Sequence, residues 1–191
     1  MNIYDPYPDE IEVNGQTYKL DLAYDNVLKA IDAQEMPELT PEDRIELQCV
    51  LLLKDGYKSL PKTLTRRTAL LTAIFDLFKS DREPETQERF IDFHQDAAMI
   101  RSAFFRMGVD LLKDKIHFCR FMELLADIPT DTALYRTIEI RQRPIPKPTR
   151  DNAEQIAQLQ KAKARVAIRM SEDERQKRFA DSLKNLQALR G

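Results

Sequence analysis

Two histidines and two cysteines are the side chains of this sequence best suited to metal or nucleophilic chemistry, and their spacing limits what they can do. A zinc site needs three or four converging ligands, with thiolate sulfur or neutral imidazole held close in space. Cys49, His94, His117 and Cys119 are the whole supply of sulfur and imidazole ligands. On a helix, His117 and Cys119 would point about 200° apart and could not share an ion. They read as a buried cysteine beside a boundary histidine, and no metal site is expected.

Asp92 and Asp96 lie at i and i+4, so on a helix they share a face and could form an acid–base couple. General acid–base catalysis also needs a second converging element. His94 lies off that face, and Ser102 is two turns from His94 with no base beside it. The two aspartates read instead as acids in the first turn of a helix, where the helix dipole favours them. Four glycines in 191 residues supply neither G-x-G-x-x-G nor G-x-x-x-x-G-K-[ST], so no phosphate cradle is present. Neither an enzyme nor a cofactor is expected.

A third chemistry, nucleic-acid binding, would rest on Lys161, Lys163, Arg165, Arg169, Arg175, Lys177 and Arg178. Residues 1–140 carry 17 Lys and Arg against 26 Asp and Glu, whereas residues 141–191 carry 13 against 6. An acidic body with a basic tail can steer an acidic partner, contact nucleic acid, or let one copy's tail meet the next copy's body. Strand binding also needs one-sided charge and stacking aromatics. The tail offers one aromatic, Phe179, and its acids intersperse the bases, so it reads first as a solvated helix face. A nucleic-acid-binding regulator stays as an alternative.

These side chains must be carried by a mainly α-helical chain. Apolar residues make up 42% and charged residues 32%, enough to bury a core. The longest apolar run, Cys49–Leu53, falls far short of the roughly 20 residues a membrane span needs. Residues 1–10 hold no Lys or Arg and no apolar stretch, so no secretory signal is expected there. Two cysteines build no disulfide framework, and a soluble intracellular protein is expected.

The β signal is confined to the start. Glu10–Val13, Asn14-Gly15 and Gln16–Leu20 read as a hairpin, because Asn-Gly is the preferred type I′ pair. That register sets Ile11 opposite Tyr18 and Glu10 opposite Lys19. Helical spacing follows: Tyr24, Val27, Leu28 and Ile31, then a helix capped by Thr40-Pro41 and ending near Gly56. A third helix carries Leu70, Leu71, Ile74, Phe75 and Phe78. Others are expected over 88–107, ending at Gly108, and over 114–126 and 132–141.

Pro144, Pro146 and Pro148 then force extended backbone and read as a hinge. The chain is expected to divide into a hairpin-plus-helical body (1–142), a Pro-rich linker (143–150) and a basic helical arm (151–191). The arm's thin apolar stripes, Ile156, Leu159, Val166 and Met170, then Phe179, Leu183, Leu186 and Leu189, need a partner to cover them. Ser171–Glu174 forms a capping box between its two segments. The overall expectation is a helical bundle with a short N-terminal β-hairpin and a C-terminal helical arm.

Residues 89–141 carry a recognisable series. It includes Phe90, Phe93, Asp96, Ile100, Phe104, Gly108 and Asp110, then His117-Phe118, Phe121, Leu125, Ile138 and Arg141. This series, with the hairpin and Asp21–Tyr24, resembles the bacteriophage "gene product fifteen" family over about residues 9–145. The family usually places tryptophans after the position of His117, where this chain has Phe118 and Cys119. Less bulk at Cys119 requires neighbours to repack or removes a surface contact.

The resemblance implies a small α-helical, non-catalytic tail assembly chaperone. Such a protein coats the tape measure protein until the tail tube polymerises, acting in the host cytoplasm and absent from the mature virion. It also implies a homo-oligomer and a frameshift-extended partner product. The alternative is a structural tail or connector protein retained in the virion. The apolar motif positions repeat at helical spacing, so they are expected to form core and to carry fold more than chemistry.

Overall fold

The first turn illustrates how local chemistry sets backbone here. Asn14 and Gly15 take φ of +53° and +73°, the left-handed pair that a type I′ hairpin demands. In the computed structural model, which describes residues 4–79 and 89–169, they join β1 (Glu10–Val13) to β2 (Gln16–Lys19). The register is the expected one, with Glu10 opposite Lys19 and Ile11 opposite Tyr18. Tyr18 and Leu20 are buried, while Glu10, Glu12 and Thr17 face solvent.

Seven α-helices follow among the described residues, so the fold is mainly α. α1 (Tyr24–Ala33) and α2 (Pro41–Leu52) form a helical hairpin. Thr40 caps α2 by accepting from the Asp43 amide at 3.2 Å, with Pro41 at the first helical position. The stripe expected on α1 is rotated: Val27, Ala30 and Ala33 are buried, whereas Ile31 is exposed. Small alanines let α2 come close enough for Gln48 Nε2 to donate to the Ala30 carbonyl at 2.8 Å.

α2 does not run to Gly56. It stops at Leu52 because Leu53 turns extended and pairs antiparallel with Leu20. The Asp21 amide donates to the Leu52 carbonyl at 2.8 Å, and the Lys54 amide to the Lys19 carbonyl at 3.0 Å. Gly56, with φ of +54°, opens a short 3-10 turn, Gly56–Ser59, instead. α3 (Leu64–Asp76) is capped by Thr63 and buries Leu70, Leu71 and Ile74.

α4 (Ala97–Arg106) is half the expected length. Residues 89–96 are not helical, because the Asp92 carboxylate takes the His94 and Gln95 amides at 2.9 and 2.7 Å and holds a turn. The far end is as expected. Gly108 has φ of +83°, and the Val109 amide reaches back to the Phe104 carbonyl at 3.0 Å, a Schellman closure. α5 (Phe118–Ala126) also begins later than expected, since His117 is its cap. α6 (Ala133–Gln142) is capped by Thr132, and α7 (Ala153–Val166) follows.

The contacts group the chain in an interleaved order. Residues 4–79 and 104–128 form one compact unit, and residues 89–103 and 129–169 form a second. Segment 143–149 is non-helical, as its prolines require. Yet α7 packs against α6 within the second unit, because its carbonyl end supplies acceptors that a buried side chain of α6 needs. The expected segment 172–189 and the Ser171 capping box lie outside the described residues.

The first unit is centred on stacked aromatic rings. Phe121 of α5 lies 4.9 Å from Phe104 and 5.1 Å from Tyr24, centroid to centroid. Phe118 meets Phe78 edge-on at 4.9 Å. The Tyr24 hydroxyl donates to the Leu111 carbonyl, so its one polar atom is satisfied. Phe104 is fully buried and its neighbour Phe105 is 68% exposed. Phe104→Ala should cost about 3–5 kcal/mol by urea unfolding. Phe105→Ala should stay within about 0.5 kcal/mol of the parent.

Candidate functional site

The most tightly organised polar group of the second unit joins two of the motif residues. Thr132 starts α6, and Leu134, Thr137 and Ile138 orient one of its faces inward. Arg141 continues that face in the last turn of the helix. Asp96 immediately precedes α4, where a carboxylate is favoured by the helix dipole. Arg141 Nη1 lies 2.5 Å from Asp96 Oδ2, and Nη2 lies 2.9 Å from Oδ1. This is a bidentate fork between side chains that are 6% and 0% exposed.

Two further donors of Arg141 are spent on backbone. Nη1 also donates to the Phe90 carbonyl at 2.8 Å, and Nε donates to the Val166 carbonyl at 2.6 Å. Lys163 of α7 donates to the Arg141 carbonyl at 2.6 Å. Asp96 Oδ2 further accepts from the Asp92 amide at 3.0 Å. For Asp92, burial pushes the carboxyl pKa up. The Gln95 and His94 amides and the Arg89 cation outweigh it and hold that pKa below the usual carboxylate value. With guanidinium and carboxylate thus engaged, the pair fastens these elements together.

The other motif residues divide by role. Ile100, Phe104, Phe118, Phe121 and Leu125 are buried, while Phe90, Phe93 and Ile138 are half-buried. Gly108 supplies a positive φ. Asp110 accepts from the Leu112 amide at 3.1 Å and pairs with Lys113 at 3.2 Å. Those two partners, the amide first, lower its pKa. His94 and Ser102 are exposed. Among the described residues, no three His, Cys, Asp or Glu side chains gather as a metal ligand set.

The segment expected to meet a partner is partly covered by its own unit. Ile156, Leu159 and Val166 of α7 are half-buried. The end of α7 is clamped by Gln95, which donates to the Ala167 carbonyl at 2.9 Å and accepts from the Arg169 amide at 3.0 Å. Pro144, Pro146 and Pro148 are exposed between α6 and α7. Asn152 closes that segment by bonding to Thr149 and Lys147. Met170, Phe179, Leu183 and Leu186 lie outside the described residues.

His117 stands before α5 and not on it, so its ring is not aimed as a helical side chain would be. Its Nδ1 accepts from the Cys119 amide at 3.1 Å, and its Nε2 lies 3.2 Å from the Pro8 carbonyl. Tyr7 stacks on the imidazole at 4.9 Å with 7° between planes, and its hydroxyl donates to Glu123 at 2.7 Å. Burial lowers the His117 pKa, against opposing pulls from the Pro8 carbonyl, Asp9 and Glu123. Burial raises the Cys119 thiol, so it stays protonated at neutral pH. Cys49 is pushed up to about 12 by its burial and is inert as a nucleophile.

A family model described as bacteriophage Gp15 protein matches residues 3–168. No curated protein and no solved structure matches the chain.

The Asp96–Arg141 pairing carries its own test. Arg141→Met leaves a buried carboxylate alone and should cost about 3–5 kcal/mol. The double variant Asp96→Leu/Arg141→Met should recover a large part of that loss, as read by urea midpoints of the two singles and the double.

Proposed function

Because the chain belongs to the bacteriophage Gp15 protein family, a family of phage structural or assembly proteins, we propose that it is a non-catalytic tail assembly chaperone that binds and solubilises the tape measure protein. The observation that carries this reading is the state of the motif residues. Arg141 is engaged by Asp96 and by backbone carbonyls, Asp96 by Arg141 and the Asp92 amide, and the aromatic positions fill a core. The motif therefore maintains a scaffold, and function falls to surfaces that another polypeptide covers.

Large apolar side chains are available for such contact in the first unit. Phe105 and Leu112 are more than two-thirds exposed, and Met36 and Met122 are partly exposed. Methionine adapts to irregular partners, which suits binding along a varied helical chain. A long client with repeated apolar stripes meets many copies through weak contacts, so avidity is high while each contact stays reversible. No energy source is needed for release once the tube competes for the same client surface. Among the described residues no helix is long and apolar enough to cross a membrane.

The reading includes a homo-oligomer, a frameshift-extended partner product, action in the host cytoplasm and absence from the mature virion. Ile156, Leu159, Val166, Met170, Phe179, Leu183 and Leu186 are its candidate contacts, the last four on the segment beyond residue 169.

Co-expression with the long, coiled-coil-rich tail protein of the same phage tests the role. Its soluble fraction should rise several-fold with this chain present. Phe179→Ser/Leu183→Ser/Leu186→Ser should reduce that gain without shifting the thermal midpoint of the chaperone itself. An insoluble client in both cases would end the chaperone reading. Recovery of the chain in purified virions by mass spectrometry would favour a retained structural component.

A further inference from the structure

The N-terminal strap, residues 4–9, is rooted where the Leu20 amide donates to the Asp9 carbonyl at 2.7 Å. Ahead of that root it lies on α5, and two of the contacts that hold it run through one imidazole. Tyr7 stacks face to face on His117 at 4.9 Å, and the Pro8 carbonyl lies 3.2 Å from Nε2. A third contact is the Tyr7 hydroxyl on Glu123 at 2.7 Å.

This geometry requires a neutral ring in one tautomer. Nδ1 accepts the Cys119 amide at the start of α5, so it carries the lone pair, and the proton sits on Nε2 and donates to Pro8. A second proton can go only to Nδ1. There it would set one N–H against another and place a cation at the positive end of α5. Relief comes from turning the ring out of the cap, which breaks the Pro8 bond and the Tyr7 stack together.

We propose that protonation of His117 releases residues 4–9 from α5 while the hairpin and the helices stay folded. This inference stands independently of the chaperone reading.

Asp9 on the strap and Glu123 on α5 favour the imidazolium, and Arg120 pairs with Glu123 at 3.3 Å. Beside the ring, the Cys119 thiol and the Tyr7 phenol both have raised pKa values, the thiol through burial and the phenol through Glu123. From the α1 side, Ala23 meets His117 through backbone, and the nearby Asp21 carboxylate accepts the Ala23 amide at 3.4 Å. Burial prevails and lowers the His117 pKa below the ordinary imidazole value. The sign follows from that direction. The strap is held above the ordinary imidazole pKa of about 6.5 and is lost as pH falls through the lower folded value.

The full-length chain, labelled with 15N and 13C, can be titrated by NMR from about pH 7.5 to about pH 5. The heteronuclear NOEs of the Tyr4, Asp5 and Tyr7 amides should fall with the same midpoint as the His117 ring-carbon shift. The Tyr18, Leu20 and Leu53 amides should stay rigid. His117→Asn keeps a capping acceptor but cannot titrate, so its strap NOEs should not change with pH. Glu123→Gln should still show the release, because the imidazole remains.

Three results would overturn the proposal. One is a strap that stays rigid, whether His117 titrates or remains neutral to about pH 5. Another is release at a midpoint different from that of His117. The third is release that persists in His117→Asn. Should that variant fail to fold, comparison of the two midpoints in the parent chain decides alone.

Discussion

A guanidinium taken out of water must find a partner for nearly every N–H, and Arg141 does so by drawing two separate segments to its own helix end. Asp96 ahead of α4, the Phe90 carbonyl and the Val166 carbonyl at the end of α7 all converge on it. Pairing two buried charges recovers little net stability, because desolvation offsets most of their attraction. What the pair supplies is selectivity. Any arrangement of these helices that failed to reunite the two charges would leave one of them buried and unpaired.

The first unit solves the same problem by apolar means. Tyr24, Phe104, Phe118 and Phe121 fill its centre, and backbone pairing holds the connections around them. Leu22 and Tyr24 trade hydrogen bonds with Phe118 and Ile116, while Lys19 and Asp21 do so with Lys54 and Leu52. These short bridges stop helices where propensity alone would extend them. α2 ends at Leu52 and α5 starts at Phe118 because the adjoining residues are committed to a neighbouring strand-like segment.

Helix boundaries depend on contacts that hydrophobic periodicity does not register. Periodicity located the helices around Val27, Cys49, Leu70 and Phe104, but it extended α4 back to residue 88 and α5 back to residue 114. Asp92 and His117 correct both starts by spending their side chains on local amides. The buried ion pair was visible in part. Arg141 continues the stripe of Leu134, Thr137 and Ile138, and Asp96 lies one turn before Ile100. A charge on each of two buried faces is the signal that such a pair leaves, and a reading confined to neighbours in sequence does not connect residues 45 apart.

Sequence alone determined the features whose causes are local. The Asn14-Gly15 turn and its register, the Thr40-Pro41 cap, the Gly108 closure and the non-helical proline segment each follow from the conformations those residues permit. The family series was also legible there, since it consists of residue types at fixed spacing. Tertiary structure decided what depends on distant groups meeting. It joined Arg141 to Asp96, packed α7 against α6, and made His117 the link between the strap and α5. In each case the cause is a buried or half-buried polar group whose partner lies far along the chain, so only folding brings the two together.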